Sequence, residues 1–386
     1  MTNKTSKNIN LLAILYCVLS SFYWMVLASQ KFFFQYSGGK DQAIHIQTLW
    51  SLSHGSAYNS ILGTVFLGEH SSLISFLLAP IYKFYSDPLF LQNFKILAFF
   101  SGCYIFFLIL KDKITPLFSL LAIIAFSITP ANLAMLYASF DYESIAIFFV
   151  FLIFKAMMDS RYVLFICSCF LLTLLKEQMP LLVIMFGIYG LFTKKEQRLK
   201  WFLVPVVMGL LMFYLEVFVI IPYFRKDQFV TESVHWRKYA QYGKYPAQIV
   251  CYVLTHPLEV YKQILHYENK IWLTNLFNQW GWLSFLNPLP LLIATPLFLK
   301  TFLSNSEHER FVTRFYYAAI FMPFIFISTW YFVARIKNAW RYIVSFLLLS
   351  IMFYQSVSFI NKHLPLYTIN KTTTLPFLEA FQLVSK

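Results

Sequence analysis

The chain has 386 residues, 59% hydrophobic and 12% charged, with a mean hydropathy of +0.61 and a formal charge of +14. A soluble domain carries roughly 25% charged residues. Half that share, together with apolar runs of about 20 residues, excludes a soluble globular protein and gives a multi-pass membrane protein. The basic residues fall mostly in short segments between apolar runs, with no nucleic-acid-binding motif, so topology and anionic lipid headgroups account for the charge and no nucleic-acid partner is expected.

Lys4 and Lys7 precede an apolar run over 11–30, which is read as an uncleaved first span with the lysines inside. The segment 37–80 then lies outside. It is too polar to cross yet carries Trp, Leu, Ile and Tyr throughout. Within it, Ala43 to His54 predicts a helix of about 18 Å, short of the roughly 30 Å hydrocarbon core, and therefore one lying at the interface. Ser71 to Tyr85 predicts a second short juxtamembrane helix.

Further spans are predicted over 89–110, 114–129, 142–158, 162–175, 179–192 and 201–221, oriented by Lys111, Lys113, Lys155, Arg161, Lys194, Lys195, Arg198 and Lys200 on the inner side. A second outer loop is expected over 222–270. The run 271–286 is weakly apolar, interrupted by Asn275, Asn278 and Gln279. If it crosses, spans over 289–303, 315–334 and 342–360 follow, about eleven in all, with Arg335, Lys337 and Arg341 inside. If it does not, the last three reverse. Residues 1–360 read as a single all-α polytopic domain, and 361–386 as a tail.

The five cysteines (Cys17, Cys103, Cys167, Cys169 and Cys251) form no C-x-x-C pair and read as small buried hydrophobes. No phosphate-binding glycine motif and no H-E-x-x-H motif occurs, which leaves nucleotide hydrolysis and zincin chemistry without support.

Ionisable groups at membrane depth are costly and point to function. On this topology Asp41, Glu69, His70, Asp141, Glu143, Lys176 and Glu177 gather at the outer face. Asp41 can serve as a general base towards an acceptor hydroxyl or as a ligand of a divalent ion; it can equally cap the helix that follows. His45 lies one helical turn on. Glu69 and His70 can ligate a metal or contact a phosphate, or form a solvated turn. Asp141 and Glu143 suit a substrate site or a favourable helix N-terminus. Lys176 can hold a lipid phosphate, pair with Glu177 or Glu143, or snorkel to the interface. Arg225, Lys226, Arg237, Lys238, Lys244, Arg310 and Arg314 fall in outer loops, against the usual bias, where a phosphate or pyrophosphate headgroup would engage them.

The stretches D-Q-A-I-H-I-Q-T-L-W-S-L-S-H-G from Asp41 and G-E-H-S-S-L-I-S-F-L-L-A-P-I-Y from Gly68 resemble a family of uncharacterised prokaryotic multi-pass membrane proteins held to share the GT-C glycosyltransferase fold. So do F-D-Y-E-S-I-A from Phe140, L-L-K-E-Q from Leu174, I-P-Y-F from Ile221, Y-G-K-Y-P from Tyr242 and T-H-P-L from Thr255. The resemblance spans about Gly39 to Arg335 and implies transfer of a sugar from a polyprenyl-phosphate carrier on the outer face. In that fold an acid in the first outer loop acts as base or metal contact, which falls on Asp41, and that loop holds two juxtamembrane helices. The chain departs from the family pattern in having Ile46 in place of a second acid, Glu69 in place of Asp, Asp141 in place of His and Gln178 in place of an acid.

The expectation is therefore a GT-C-like glycosyltransferase of a bacterial inner membrane. Asp41, Glu69 and His70 would be catalytic and, if a divalent ion is used, its contacts. Asp141, Glu143, Lys176, Glu177, Arg310 and Arg314 would bind the lipid-linked donor, in a setting of membrane lipids. The competing readings are a transporter or flippase of a lipid-linked or hydrophobic solute and a non-catalytic membrane scaffold.

Overall fold

The computed structural model describes residues 3–35, 40–225, 236–278, 282–313 and 315–367. Among the described residues four helices are long and apolar enough to cross a membrane: 5–32, 90–110, 198–225 and 339–361. Three of them present open apolar faces. Leu11, Leu15, Leu19 and Phe22 on the first, Leu203, Val207 and Leu211 on the third, and Phe346, Ile351 and Tyr354 on the fourth are exposed. Such continuous apolar surface belongs against lipid rather than water.

The first helix, α1 (Asn3–Gln35), packs antiparallel on α4 (Phe90–Leu110): Tyr16 meets Phe100 edge-on at 6.5 Å and Tyr104 donates to Asn10 at 3.3 Å. Gly102 of α4 lets it close on α7 (Glu143–Met158), where an added Cβ would lie 3.2 Å from the Phe148 Cα. Phe106, Phe126 and Phe151 pack at 4.7–5.6 Å between α4, α5 (Pro116–Ser127) and α7, and Phe326 of α17 (Met322–Arg335) closes the cluster. Burying such rings supplies most of the packing energy between these helices.

The predicted span over 114–129 is one limb of a broken element: α5 turns by 55° at Thr129 into α6 (Pro130–Tyr137). Pro116 and Pro130 each sit in a first turn, and Thr115 and Thr129 cap them by accepting the Phe118 and Asn132 amides. Proline at the start of a helix with a threonine before it is a start signal, so two starts give two helices. Lys95, fully buried in α4, donates to the carbonyls of Met135 (2.9 Å) and Ala138 (2.7 Å) and so completes the end of α6.

α8 (Tyr162–Thr173) and α9 (Met179–Thr193) follow the predicted bounds. α9 lies antiparallel against α10 (Arg198–Tyr214), which continues through a π-helical stretch, Leu215–Ile220, into α11 (Ile221–Arg225). The predicted run 271–286 is not one helix. It is α-helical in α14 (Tyr267–Asn278) and a 3₁₀ turn at Trp282–Leu286, with 279–281 outside the described residues. Likewise 289–303 divides into α15 (Leu289–Leu292) and α16 (Thr295–Leu303), since Pro296 opens a new helix. The expected outer loop 222–270 is largely helical in its described part: a 3₁₀ turn Arg237–Tyr242, then α12 (Pro246–Thr255) and α13 (Pro257–Ile264), the two helices opened by Pro246 and Pro257. The last helix, α18 (Asn338–Tyr367), runs past the expected start of the tail.

The segment 37–80 holds α2 (Lys40–Ser53) and α3 (Ile74–Phe84), close to the predicted pair. At 14 and 11 residues neither can cross a membrane. Between them, β1 (Tyr58–Asn59) and β2 (Thr64–Val65) form an antiparallel ribbon that hydropathy did not signal. Asn59 fastens it to α2, its Nδ2 donating to the Ile44 carbonyl at 2.8 Å and the Thr48 hydroxyl at 2.9 Å.

Candidate functional site

Two cavities meet above the inner helices. The polar one, about 240 Å³, is lined by Asp41, His45, Glu69, His70, Asp141, Lys238, Glu309 and Tyr316, among others. Its neighbour, about 450 Å³, is mostly apolar, with Leu181, Met185, Phe213, Val217, Ile249, Val253 and Leu299 in its wall. His70, Lys238, Glu309, Tyr316 and Tyr317 line both, so a polar chamber opens onto an apolar groove along a charged seam.

The charges in the seam are paired. Lys176, between α8 and α9, is 5% exposed and sits 3.1 Å from Asp141 Oδ2 and 3.3 Å from Glu143 Oε1. Asp141 also receives the Glu143 amide at 2.8 Å, the start-of-helix bond expected of an acid before α7, and His45 Nε2 lies 3.9 Å away. Burial alone would raise the Asp141 carboxyl, but Lys176 and then His45 outweigh it and hold it well below the usual range. The reciprocal holds for Lys176: burial disfavours its charge, while Asp141 and Glu143 push it well above the usual amine range. Glu143 is shared with Lys300 of α16 at 3.2 Å and accepts from Gln178. Lys300 in turn lies 3.7 Å from Glu309, which also pairs with Lys238.

His70 and Glu177 close the other side of the seam, Nδ1 to Oε1 at 2.8 Å. Burial favours a neutral Glu177, yet His70 and Lys176 bring it down to about 2. Glu69 faces Arg225 of α11 at 3.3 Å, and Arg225 also donates to the Gly68 carbonyl at 3.0 Å. A side chain at Gly68 would press on the backbone of Phe224 at 3.2 Å, so glycine is needed for this contact. Ile74 donates to the Leu174 carbonyl at 2.8 Å, which fixes the entry of α3 against the loop bearing Lys176.

Asp41 differs from all of these. It lies in the first turn of α2, exposed, with its side chain on the polar cavity and no hydrogen bond or ion pair to any described residue. It therefore does not cap α2 with its side chain. Asp41, Glu69 and His70 do not converge as metal ligands either: Glu69 is turned to Arg225 and His70 to Glu177, and among the described residues no group of three or more His, Cys, Asp or Glu side chains could hold a metal ion. The residues present do not fit a metal at these positions.

A model of predicted membrane proteins matches residues 31–386. The chain belongs to the DUF2079 family of predicted membrane proteins. The match takes in every residue of both cavities. No curated protein and no solved structure matches the chain.

Of the residues singled out in this DUF2079 chain, nine line the two cavities: Asp41, His45, Glu69, His70, Asp141, Glu143, Lys176, Glu177 and Lys238. Arg310 does not line either cavity. It is held by the Asn269 Oδ1 at 2.9 Å, the Ser304 carbonyl at 2.5 Å and Glu268 at 3.0 Å, where it braces α14 against the strand of chain after α16. Arg314 lies outside the described residues. Lys300, Glu309, Tyr316 and Tyr317 were not anticipated. Lys300 carried a signal: a lysine inside an apolar run is costly unless it is partnered.

Proposed function

We propose that the protein transfers a glycosyl group from a polyprenyl-phosphate donor to an acceptor hydroxyl, with the isoprenoid in the apolar groove and the reacting groups in the polar cavity. The observation that carries this reading is the contrast across the two joined cavities: five carboxylates are held by cations or His, while Asp41 has no hydrogen bond or ion pair to any described residue. A carboxylate with a counter-ion bound to it is a poor proton acceptor, whereas an unpaired one at a cavity wall is suited to be a general base.

In the reaction so drawn, Asp41 takes the proton of the acceptor hydroxyl as its oxygen bonds the anomeric carbon. The bond from that carbon to the carrier phosphate breaks, its electron pair leaving with the phosphate. Lys238, which lines both cavities, and Lys300, in the wall of the groove, meet the charge that develops there in this reading. One displacement inverts the anomeric centre. The combination of a small polar chamber with a long apolar wall suits a ligand with a polar head and a hydrocarbon tail better than it suits a soluble sugar nucleotide.

Asp41→Asn is expected to abolish transfer in membranes carrying the variant at normal abundance, with lipid-linked sugar accumulating. Full activity in that variant would sink the assignment of Asp41. A second reading, movement of a lipid-linked solute across the bilayer, draws support from two features: Glu216 is fully buried in a π-helical stretch of a candidate span, and α5–α6 is a broken element. Transbilayer movement of donor lipid in vesicles lacking any acceptor would favour it.

A further inference from the structure

The far end of the same helices carries a third cavity. α7 begins at Glu143, and α9 begins after Gln178, which bonds Glu143; both helices then run away from the seam. At 1.5 Å per residue their last turns lie about 20 Å further on. There a cavity of about 390 Å³ is lined by Lys113, Tyr189, Thr193, Asn287, Tyr331 and Arg335, with no Asp or Glu in its wall.

The two cations are placed by the fold. Lys113 follows α4, and its carbonyl accepts from Arg341 Nη1 at 3.5 Å, while Arg341 Nε donates to the Ile336 carbonyl at 3.1 Å. Those bonds tie the turn after α4 to the turn between α17 and α18. The Lys113 ammonium stands 4.7 Å over the Tyr331 ring, whose hydroxyl is fixed on Met158 Sδ at 3.0 Å. Arg335 ends α17, exposed, with no hydrogen bond or ion pair from its side chain to a described residue. Lys113 likewise has no ion pair with a described carboxylate. Burial and then the nearby Arg335 push the Lys113 ammonium down, with Asp112 opposing.

This is the reverse of the seam, where Lys176, Lys238 and Lys300 each have a carboxylate. Two like charges held at one cavity repel, and an anion between them removes the cost. A planar guanidinium beside a point-charge ammonium, with the Tyr189 hydroxyl in the same wall, suits the oxygens of a phosphoryl group. Leu289, Pro290 and Ala334 give the cavity an apolar part to its wall.

We propose that this cavity is a second binding site, for a phosphoryl group, independent of the chamber that holds Asp41. The phosphoryl group can come from an anionic phospholipid headgroup or from free phosphate, and the test separates them. The full-length protein in maltoside micelles is titrated with phosphatidylglycerol, with phosphatidylcholine and, separately, with inorganic phosphate at constant ionic strength, and thermal unfolding is followed by tryptophan fluorescence. Phosphatidylglycerol or phosphate is expected to raise the midpoint. The half-saturating concentration should rise about tenfold or more in Lys113→Gln/Arg335→Gln, since charge-assisted bonds are lost, and stay unchanged in Lys262→Gln, an exposed lysine of α13 that lines none of these cavities. Stabilisation by phosphatidylglycerol alone assigns the site to lipid; equal stabilisation by phosphate assigns it to the soluble anion. Arg335→Gln, at an exposed position, provides a well-folded single variant with the same direction of effect, and Arg335→Lys should recover most of the binding. Equal stabilisation of wild type by phosphatidylcholine, no stabilisation by either anion, or an undiminished effect in Arg335→Gln and in the double variant overturns the proposal.

Discussion

The pairing of Lys176 with Asp141 can be tested as a double-mutant cycle. The ammonium lies 3.1 Å from Asp141 and 3.3 Å from Glu143. At an effective dielectric of about 20, a unit pair at that separation attracts by about 5 kcal/mol. Desolvation of both ions offsets much of this, yet deleting one partner leaves the other buried and uncompensated, at a cost of about 3–5 kcal/mol. Lys176→Gln removes the cation from two carboxylates together. Glu143 retains Lys300 at 3.2 Å, whereas Asp141 retains only His45 at 3.9 Å and the Glu143 amide at 2.8 Å. The loss is therefore concentrated on Asp141, and Lys176→Gln should destabilise by about 3–5 kcal/mol. Asp141→Asn is milder, about 1–3 kcal/mol, because Lys176 keeps Glu143. The double variant leaves two neutral amides facing each other and should cost less than Lys176→Gln alone, a coupling of at least about 1 kcal/mol. The measurement is unfolding of the purified protein by dodecyl sulfate in mixed micelles, read by tryptophan fluorescence. Additive single effects, within about 0.5 kcal/mol, would refute the pairing.

The Glu177 carboxyl is brought from 4.5 down to about 2 on folding, so its contribution is present above the ordinary glutamate range and is lost as pH falls from there towards 2, about 3 kcal/mol in all. Glu177→Gln should remove that part of the acid sensitivity, and an unchanged acid-unfolding midpoint would contradict it. Asp41→Asn should leave stability within about 0.5 kcal/mol of wild type, since the side chain is exposed and bonds to nothing described; a large drop in unfolding midpoint would show a structural role instead. A methyl group at Gly209 would lie 2.7 Å from the Pro180 carbonyl and 2.6 Å from Ile184, and at Gly187 3.0 Å from the Phe202 carbonyl. Gly209→Ala should therefore cost about 1–3 kcal/mol by forcing α9 and α10 apart, and unaltered thermal stability in micelles would argue against so close an approach.

Much of the helical plan was legible. The bounds of α4, α7, α8 and α9 follow from apolar length and the lysines that end them, because a buried or lipid-facing helix has to be apolar along its length. The short helices α2 and α3 were readable for the same reason in reverse: 37–80 contains apolar runs that are too short. The breaks were not read. Pro116, Pro130, Pro257 and Pro296 are helix starts, and hydropathy averaged over a window passes across them. The ribbon between α2 and α3 was also hidden, since two residues per strand leave no alternation to detect.

For the site, the sequence by itself determined which residues were unusual: acids and histidines at the ends of apolar runs, where an ion needs a partner. It did not determine the partners. Lys176 was open to lipid, to Glu177 or to Glu143, and the fold gives it to Asp141 and Glu143. Arg310 and Lys300 were both basic residues in the same half of the chain; packing sends one to brace α14 and the other to the seam. The distinction that matters most, an Asp41 without a partner among the described residues beside acids that are paired, exists only in three dimensions. A carboxylate's availability depends on which distant cation reaches it, and those cations come from the turn between α8 and α9, from α11 and α16 and from the chain after Trp236, brought together by the burial of side chains that carry no chemistry of their own.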